Sequence, residues 1–224
     1  MISKEREFIF IHNFKTGGTS IEKKLGHFDS LAIDVQDHRS LRDIELLTNR
    51  SLYFRKSLYA LLKKGKPQRA WQHFQQGLSP ELTAAEYERF FKFTFVRNTW
   101  ARMYSWYANV MKDPHMRQSY RITDLNFSFE AFLTEKIQPE TFSQWYFITN
   151  RSGVVGMDFI GRFERLQEDF DTVGERLQLE DTQLPKLLVR NYTPYTEAYT
   201  STTKDLVYQQ YRTEIDYFSF EFGA

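Results

Sequence analysis

The segment FIFIHNFKTGGTSIEKKL, residues 8–25, decides how this chain is read. It opens on an uninterrupted apolar run, Phe8 to Ile11, of the length of a buried strand. Lys15, the adjacent Gly17 and Gly18, and the hydroxyls of Thr16, Thr19 and Ser20 then make a tight polar turn. Ile21 and Leu25 resume at helical spacing, which predicts a first helix over 18–26. Strand, glycine turn and helix start together form an anion cradle, because the first N–H groups of a helix have no partner inside it. A Walker A loop would read G-x-x-x-x-G-K-[ST], with its lysine after the second glycine and its hydroxyl on Mg²⁺. Here Lys15 precedes both glycines, so the loop keeps the phosphate-binding logic and loses the metal-binding order. Taken alone, the hexapeptide is also compatible with a plain strand-to-helix turn that uses glycine for positive φ.

The remaining composition narrows the classes. A chain of 224 residues can bury one sizeable core, and its ordinary apolar content argues against global disorder. No apolar run approaches the ~18 residues a membrane span needs, and no apolar leader precedes the first strand. The absence of cysteine excludes disulfides, thiolate metal ligands and a thiol nucleophile. The expectation is a soluble cytoplasmic protein of one domain, residues 1–224. Net charge is only +1 but is unevenly placed. Between Glu45 and Glu81 there are seven bases and no acid, while the rest of the chain carries 23 bases against 29 acids. This basic stretch, about 45–80, reads as a helical insertion facing an anionic partner, or equally as a solvated helix face. A general nucleic-acid binder is not expected.

Strand and helix signals alternate along the chain. A short strand is expected at 31–35, largely helical structure over 40–64 broken by Gly65-Lys66-Pro67, and a helix opened by Ser79 and Pro80. FKFTFVRN (91–98) is the best strand after the first, and 99–112 follows at helical period. Further helices are expected at 127–136, 163–178 and 202–216, with a short strand near 157–161. This alternation predicts an α/β layer fold with a mainly parallel sheet. Ligands of such sheets bind beyond the carboxyl ends of the strands, where Lys15 and Arg97 both fall.

Arg97 supplies a planar fork suited to phosphate oxygens, and Ser105, eight residues on, adds a hydroxyl two helical turns later. Arg102 fits a phosphate contact or a solvated helix position. Trp100, Tyr104, Trp106 and Tyr107 fit core packing better than a nucleobase platform. The histidines make no ligand pair at metal spacing, no acidic cluster does so, and no G-x-S-x-G elbow is present. His38, just past the strand expected at 31–35, can face the same crevice and serve as a general base for a hydroxyl.

Four stretches together, FIHNFKTGGTS (10–20), DHRSLRDI (37–44), FKFTFVRNTWARMYSWY (91–107) and MDFIGRFERLQEDF (157–170), resemble the carbohydrate-type, family 2 sulfotransferases, in the family's order. The closing stretch, 199–222, is similar too, and the resemblance is weakest over about 45–80. It implies a P-loop NTPase-like three-layer sandwich, its central mainly parallel sheet flanked by helices. It also implies the donor 3′-phosphoadenosine 5′-phosphosulfate, transfer of the sulfuryl group to an acceptor hydroxyl, expected on an anionic or neutral glycan, and no metal. Carried over by position, Lys15, Thr16, Gly17, Gly18, Thr19 and Ser20 would hold the 5′-phosphosulfate. Arg97 and Ser105 would bind the 3′-phosphate, and His38 would be the base. Arg190, Asn191 and Tyr195 would close over the adenosine end, and Glu164 would cap the helix after it or orient a basic group. Where the family usually has proline, this chain has Phe14 and Thr99. A small-molecule kinase and a non-catalytic nucleotide binder are the alternatives; the kinase would need an acidic Mg²⁺ ligand where FTFVRN offers arginine.

Overall fold

The computed structural model describes residues 1–31, 35–187 and 193–224. Its centre is an open sheet of four strands in the order β1 (Ile2–Ser3), β2 (Phe8–Ile11), β3 (Phe91–Val96), β4 (Phe159–Arg162). β1 runs antiparallel to β2, whereas β2, β3 and β4 are parallel, with Phe10 opposite Phe93 and Phe93 opposite Phe159. The buried strands read as near-continuous apolar runs because both faces of the sheet are covered.

Strand alternation divides the core in two. Phe8, Phe10, Phe93 and Phe95 point to one face, where Ile21 of α1 (Gly18–Lys24) and Phe170 and Val173 of α11 (Leu166–Arg176) close over them. Ile9, Ile11 and Val96 point to the other, against a larger group of helices. These include α2 (Leu41–Leu47), α6 (Thr99–Lys112), α8 (Phe129–Glu135), α10 (Gln144–Ile148) and α12 (Ser201–Phe218). Between them lie α7 (Pro114–Ser119) and α9 (Pro139–Phe142).

The expected strand at 31–35 falls mostly on residues 32–34, outside the described residues. Three local outcomes differ from the sequence reading. The helix expected over 40–64 is two helices, α2 and α3 (Arg50–Leu62). Thr48 closes the first through its hydroxyl on the Glu45 carbonyl, and Asn49 caps the second by accepting from Leu52 N–H. Ser79 and Pro80 do not open a helix: Ser79 ends α4 (Pro67–Leu78), and α5 (Ala84–Arg89) starts at Thr83. Thr83 wins because Glu86, three residues on, completes a reciprocal capping box that no acid or glutamine offers Ser79. The helix expected at 163–178 is α11 preceded by a 3₁₀ turn, Phe163–Arg165.

Candidate functional site

Because β2 and β3 are parallel neighbours, the loops leaving their carboxyl ends emerge side by side. Asn13 ties them: its amide donates to Thr94 Oγ1 at 3.0 Å and to the Phe95 carbonyl at 3.1 Å. Thr16, fully buried, turns its hydroxyl back onto the Asn13 carbonyl at 2.9 Å, so it staples the loop from within. Lys15 adopts φ 65°, a left-handed conformation that costs a non-glycine residue about 1–3 kcal/mol and recurs where ligands are clamped. Gly17, at φ 80°, makes the turn into α1. Gly18 is required for a different reason: a Cβ there would stand 2.0 Å from Cδ2 of the His12 ring. Ser20 is buried in the first turn of α1 and Thr19 is half-buried.

Arg97 reaches across to this loop. Its Nη1 donates to the Lys15 carbonyl at 3.3 Å, and its guanidinium stacks over Phe163 at 4.2 Å. Its backbone is held as firmly. Gln144 accepts from Arg97 N–H at 2.8 Å and donates to the Arg97 carbonyl at 3.0 Å. Glu214 of α12 in turn accepts from Gln144 Nε2 at 3.1 Å and from Gln144 N–H at 2.6 Å. The same carboxylate receives Thr99 Oγ1 at 2.8 Å and the Arg102 guanidinium at 3.4 Å. Arg102 is therefore neither a phosphate contact nor a solvated helix residue; it is a buried ion-pair partner that also donates to the Phe142 carbonyl. Thr99, standing where the family usually has proline, supplies a hydrogen bond that proline cannot.

His38 sits on the other side of the Lys15 loop. Its ring lies 4.2 Å from Phe14 and 4.2 Å from His12, centroid to centroid. Nδ1 is 3.2 Å from the His12 carbonyl, which can only accept, so the neutral ring carries its proton there. The lone pair is then on Nε2, 3.3 Å from the Gln36 amide, whose other end is 2.9 Å from Thr19 Oγ1. Rotating that amide by half a turn gives Nε2 an N–H donor and lets the Thr19 hydroxyl donate to the freed oxygen. Burial, followed by the neighbouring His12, pushes the His38 pKa down to about 4, so the imidazole is neutral at physiological pH. Burial acts to raise Asp37, yet the Arg39 hydrogen bonds and the Met1 ammonium hold it well below the usual carboxylate range. The His12 ring lies 3.2 Å from the Glu22 carboxylate, both buried.

The remaining expected residues fall less closely together. Ser105 is buried on α6, about 9 Å of helix rise beyond Thr99, and no observed hydrogen bond links it to Arg97. Tyr195 accepts Gly223 N–H at 2.7 Å; its pKa is raised by burial first, with Glu164 and Arg97 close enough to add opposing effects. Arg190 and Asn191 lie outside the described residues. Glu164 caps neither α11 nor a basic group: its Oε1 accepts Asn98 N–H at 2.8 Å. Gln144, Glu214 and Gln36 went unread in the sequence. Glu214 alone left a signal, an acid on the buried stripe Val207, Tyr211, Ile215, Phe218 of α12.

Among the described residues no cluster of His, Cys, Asp and Glu could hold a metal ion, and no helix is long and apolar enough to cross a membrane. Compared with known families, the chain matches the family 2 sequence profile described as "Sulfotransferase family" over residues 1–221. Neither a search of curated proteins nor one of solved structures returns a significant match.

Proposed function

Since the chain belongs to the sulfotransferase family, we propose that it moves a sulfuryl group from 3′-phosphoadenosine 5′-phosphosulfate to a carbohydrate hydroxyl, on a P-loop NTPase-like sheet, with His38 as base. One observation carries this reading above the others. Arg97, at the end of β3, donates at 3.3 Å to the backbone carbonyl of Lys15, at the end of β2, which supports a phosphate site shared by the guanidinium and the glycine turn. The residues fit such a donor: Lys15 and Gly17 take left-handed φ on the way into α1, whose first backbone N–H groups have no partner inside the helix and suit an anion. A kinase would want an acid after β3 to hold Mg²⁺, and the residue there is Arg97.

In this reading Lys15 and the backbone N–H groups of Gly17, Gly18 and Thr19 hold the 5′-phosphosulfate, with Ser20 behind them. Arg97, with Ser105 of α6, reads the 3′-phosphate, and Tyr195 with Arg190 borders the adenosine. The acceptor hydroxyl displaces the Gln36 amide from His38 Nε2. As its oxygen bonds to sulfur, Nε2 takes the proton, and the electron pair of the breaking S–O bond passes to the leaving phosphate oxygen. Lys15 stabilises that charge where it develops. Phe14 keeps water from one face of the His38 ring.

The test is calorimetry of adenosine 3′,5′-bisphosphate against 5′-AMP and Mg²⁺–ATP. The bisphosphate should bind best, and Arg97→Ala should remove most of its advantage over 5′-AMP, about 1.5–3 kcal/mol for a charge-assisted contact. Equal binding of the two nucleotides, or a preference for Mg²⁺–ATP, would overturn the reading.

A further inference from the structure

α3 and α4 pack chiefly against each other, and small residues make the contact. Ala60, Ala70 and Gly77 are buried between them, and a Cβ at Gly77 would stand 2.6 Å from the Phe54 ring. Ser57 Oγ donates to the Ala70 carbonyl at 2.7 Å and Arg50 Nε to the Gly77 carbonyl at 2.8 Å. With the inner faces used up this way, the large apolar residues are left outside. Leu58, Leu61 and Leu62 recur at helical spacing along α3, and Trp71 and Leu78 along α4, all exposed; Leu62 is 69% and Trp71 59% accessible. Phe54, Phe74 and Trp71 touch ring to ring at 5.6 and 5.7 Å, so the apolar surface runs from the hairpin interior to its outside.

The charge around this surface has one sign. Arg50, Arg55, Lys56, Lys63, Lys64, Lys66 and Arg69 are the only charged residues between Glu45 and Glu81. Lys56 Nζ lies over the Tyr53 ring at 5.8 Å and Lys64 Nζ over the Tyr59 ring at 5.9 Å, so these ammonium groups sit beside the apolar surface. Lys63, Lys64 and Lys66 form the turn, about 20 Å of helix rise from the foot of α3. The foot is the end near His38, where Arg39 pairs with Glu81. The bases at the tip therefore do not close over the candidate base as a lid.

We propose that this hairpin docks on an anionic lipid surface, with its leucines and Trp71 in the headgroup boundary and its lysines and arginines on lipid phosphates and carboxylates. The chain lies on the bilayer in this arrangement and does not cross it. A polar glycan or a nucleic acid would use the bases and leave the leucines in water. A second copy docking face to face would set seven bases against seven. An anionic bilayer interface satisfies the apolar stripe and the positive rim together.

Sedimentation of the full chain with phosphatidylcholine vesicles, pure or with phosphatidylserine as about a third of the lipid, tests this. Binding is expected only to the anionic vesicles, falling as salt rises. Replacing Lys63, Lys64 and Lys66 by glutamine should weaken it on the order of a hundredfold, at about one ordinary headgroup contact per base. Leu58→Gln, Leu62→Gln and Trp71→Gln together, which leave the charge unchanged, should weaken it about tenfold or more. Vesicles should also shift the tryptophan emission to the blue, and Trp71→Phe should abolish the shift. Circular dichroism and bisphosphate affinity confirm that each variant is folded. Equal binding to neutral and anionic vesicles, or indifference to the apolar triple change, would overturn the proposal. So would a dimer in sedimentation velocity that the apolar change dissociates, or an effect of the lysine change confined to KM for an acidic glycan acceptor.

Discussion

Arg102 and Leu62 stand at opposite extremes of this molecule: a guanidinium 1% exposed and a leucine 69% exposed. Each breaks the ordinary burial rule, and the surroundings differ accordingly. Around Arg102 the chain has built partners from two distant segments, the Phe142 carbonyl and the Glu214 carboxylate, the latter held in turn by Thr99 and Gln144, because an unpaired buried charge costs several kcal/mol. Around Leu62 it has built none. The buried polar cluster finds its partners within the chain, the Arg102 Nε excepted, and serves to fix Arg97. The exposed apolar hairpin gains nothing inside the chain and is explained by something outside it.

The largest effect expected is on chemistry at the buried side of this contrast. His38→Ala should lower turnover by about 10²–10⁴ while leaving bisphosphate affinity unchanged, and Lys15→Ala should damage both. In the parent, the acid limb of kcat/KM should lie near pH 4, where His38 gains its proton, rather than near the ordinary histidine value of 6.5. The sign for stability follows from the same shift. A histidine with a folded pKa below its unfolded one stabilises the fold fully above pH 6.5, and that contribution is lost as pH falls through about 4. Turnover that survives in His38→Ala with saturating acceptor would assign the base elsewhere.

Next comes Glu214. Removing it strands the Arg102 guanidinium and leaves the Thr99 and Gln144 donors unmet, so Glu214→Ala should cost about 3–5 kcal/mol in urea denaturation. A loss below about 1 kcal/mol would mean that the cluster is not closed as described. Thr99→Pro should cost less, about 1–2 kcal/mol. Asn98 already has ψ 120° and Thr99 is the first residue of α6, so proline is sterically welcome and only the hydrogen bond to Glu214 is lost. The smallest effect belongs to the hairpin: Leu62→Gln or Trp71→Gln should change stability by no more than about 0.5 kcal/mol, because neither side chain is buried. A larger loss would show that the hairpin packs on the body and would remove the contrast.

Much of the site was legible because its signals are local. Lys15, Gly17 and Gly18 sit in one loop whose strand and helix flank it within a few residues, and Arg97 closes the next apolar strand. The role of Gly18 was not legible: it is set by the His12 ring, six residues back and brought alongside by the fold. Phe14 looked like a lost proline, and in the structure it is the ring against which His38 stacks at 4.2 Å. Gln144 left no trace, since a glutamine acting on a peptide group 47 residues away has no periodicity to betray it.

By itself the sequence determined the alternation of strands and helices, the glycine turn between first strand and helix, the placing of Lys15 and Arg97 at strand ends, and the basic stretch without acids. These follow from short-range rules: apolar periodicity, turn residues and charge spacing. Tertiary structure alone decided that Arg102 is buried on Glu214, that Gln144 clamps the Arg97 backbone, and that the hairpin leucines face outward. Those outcomes depend on which distant segments meet, and a polar or apolar side chain carries no local mark of the partner that will satisfy it.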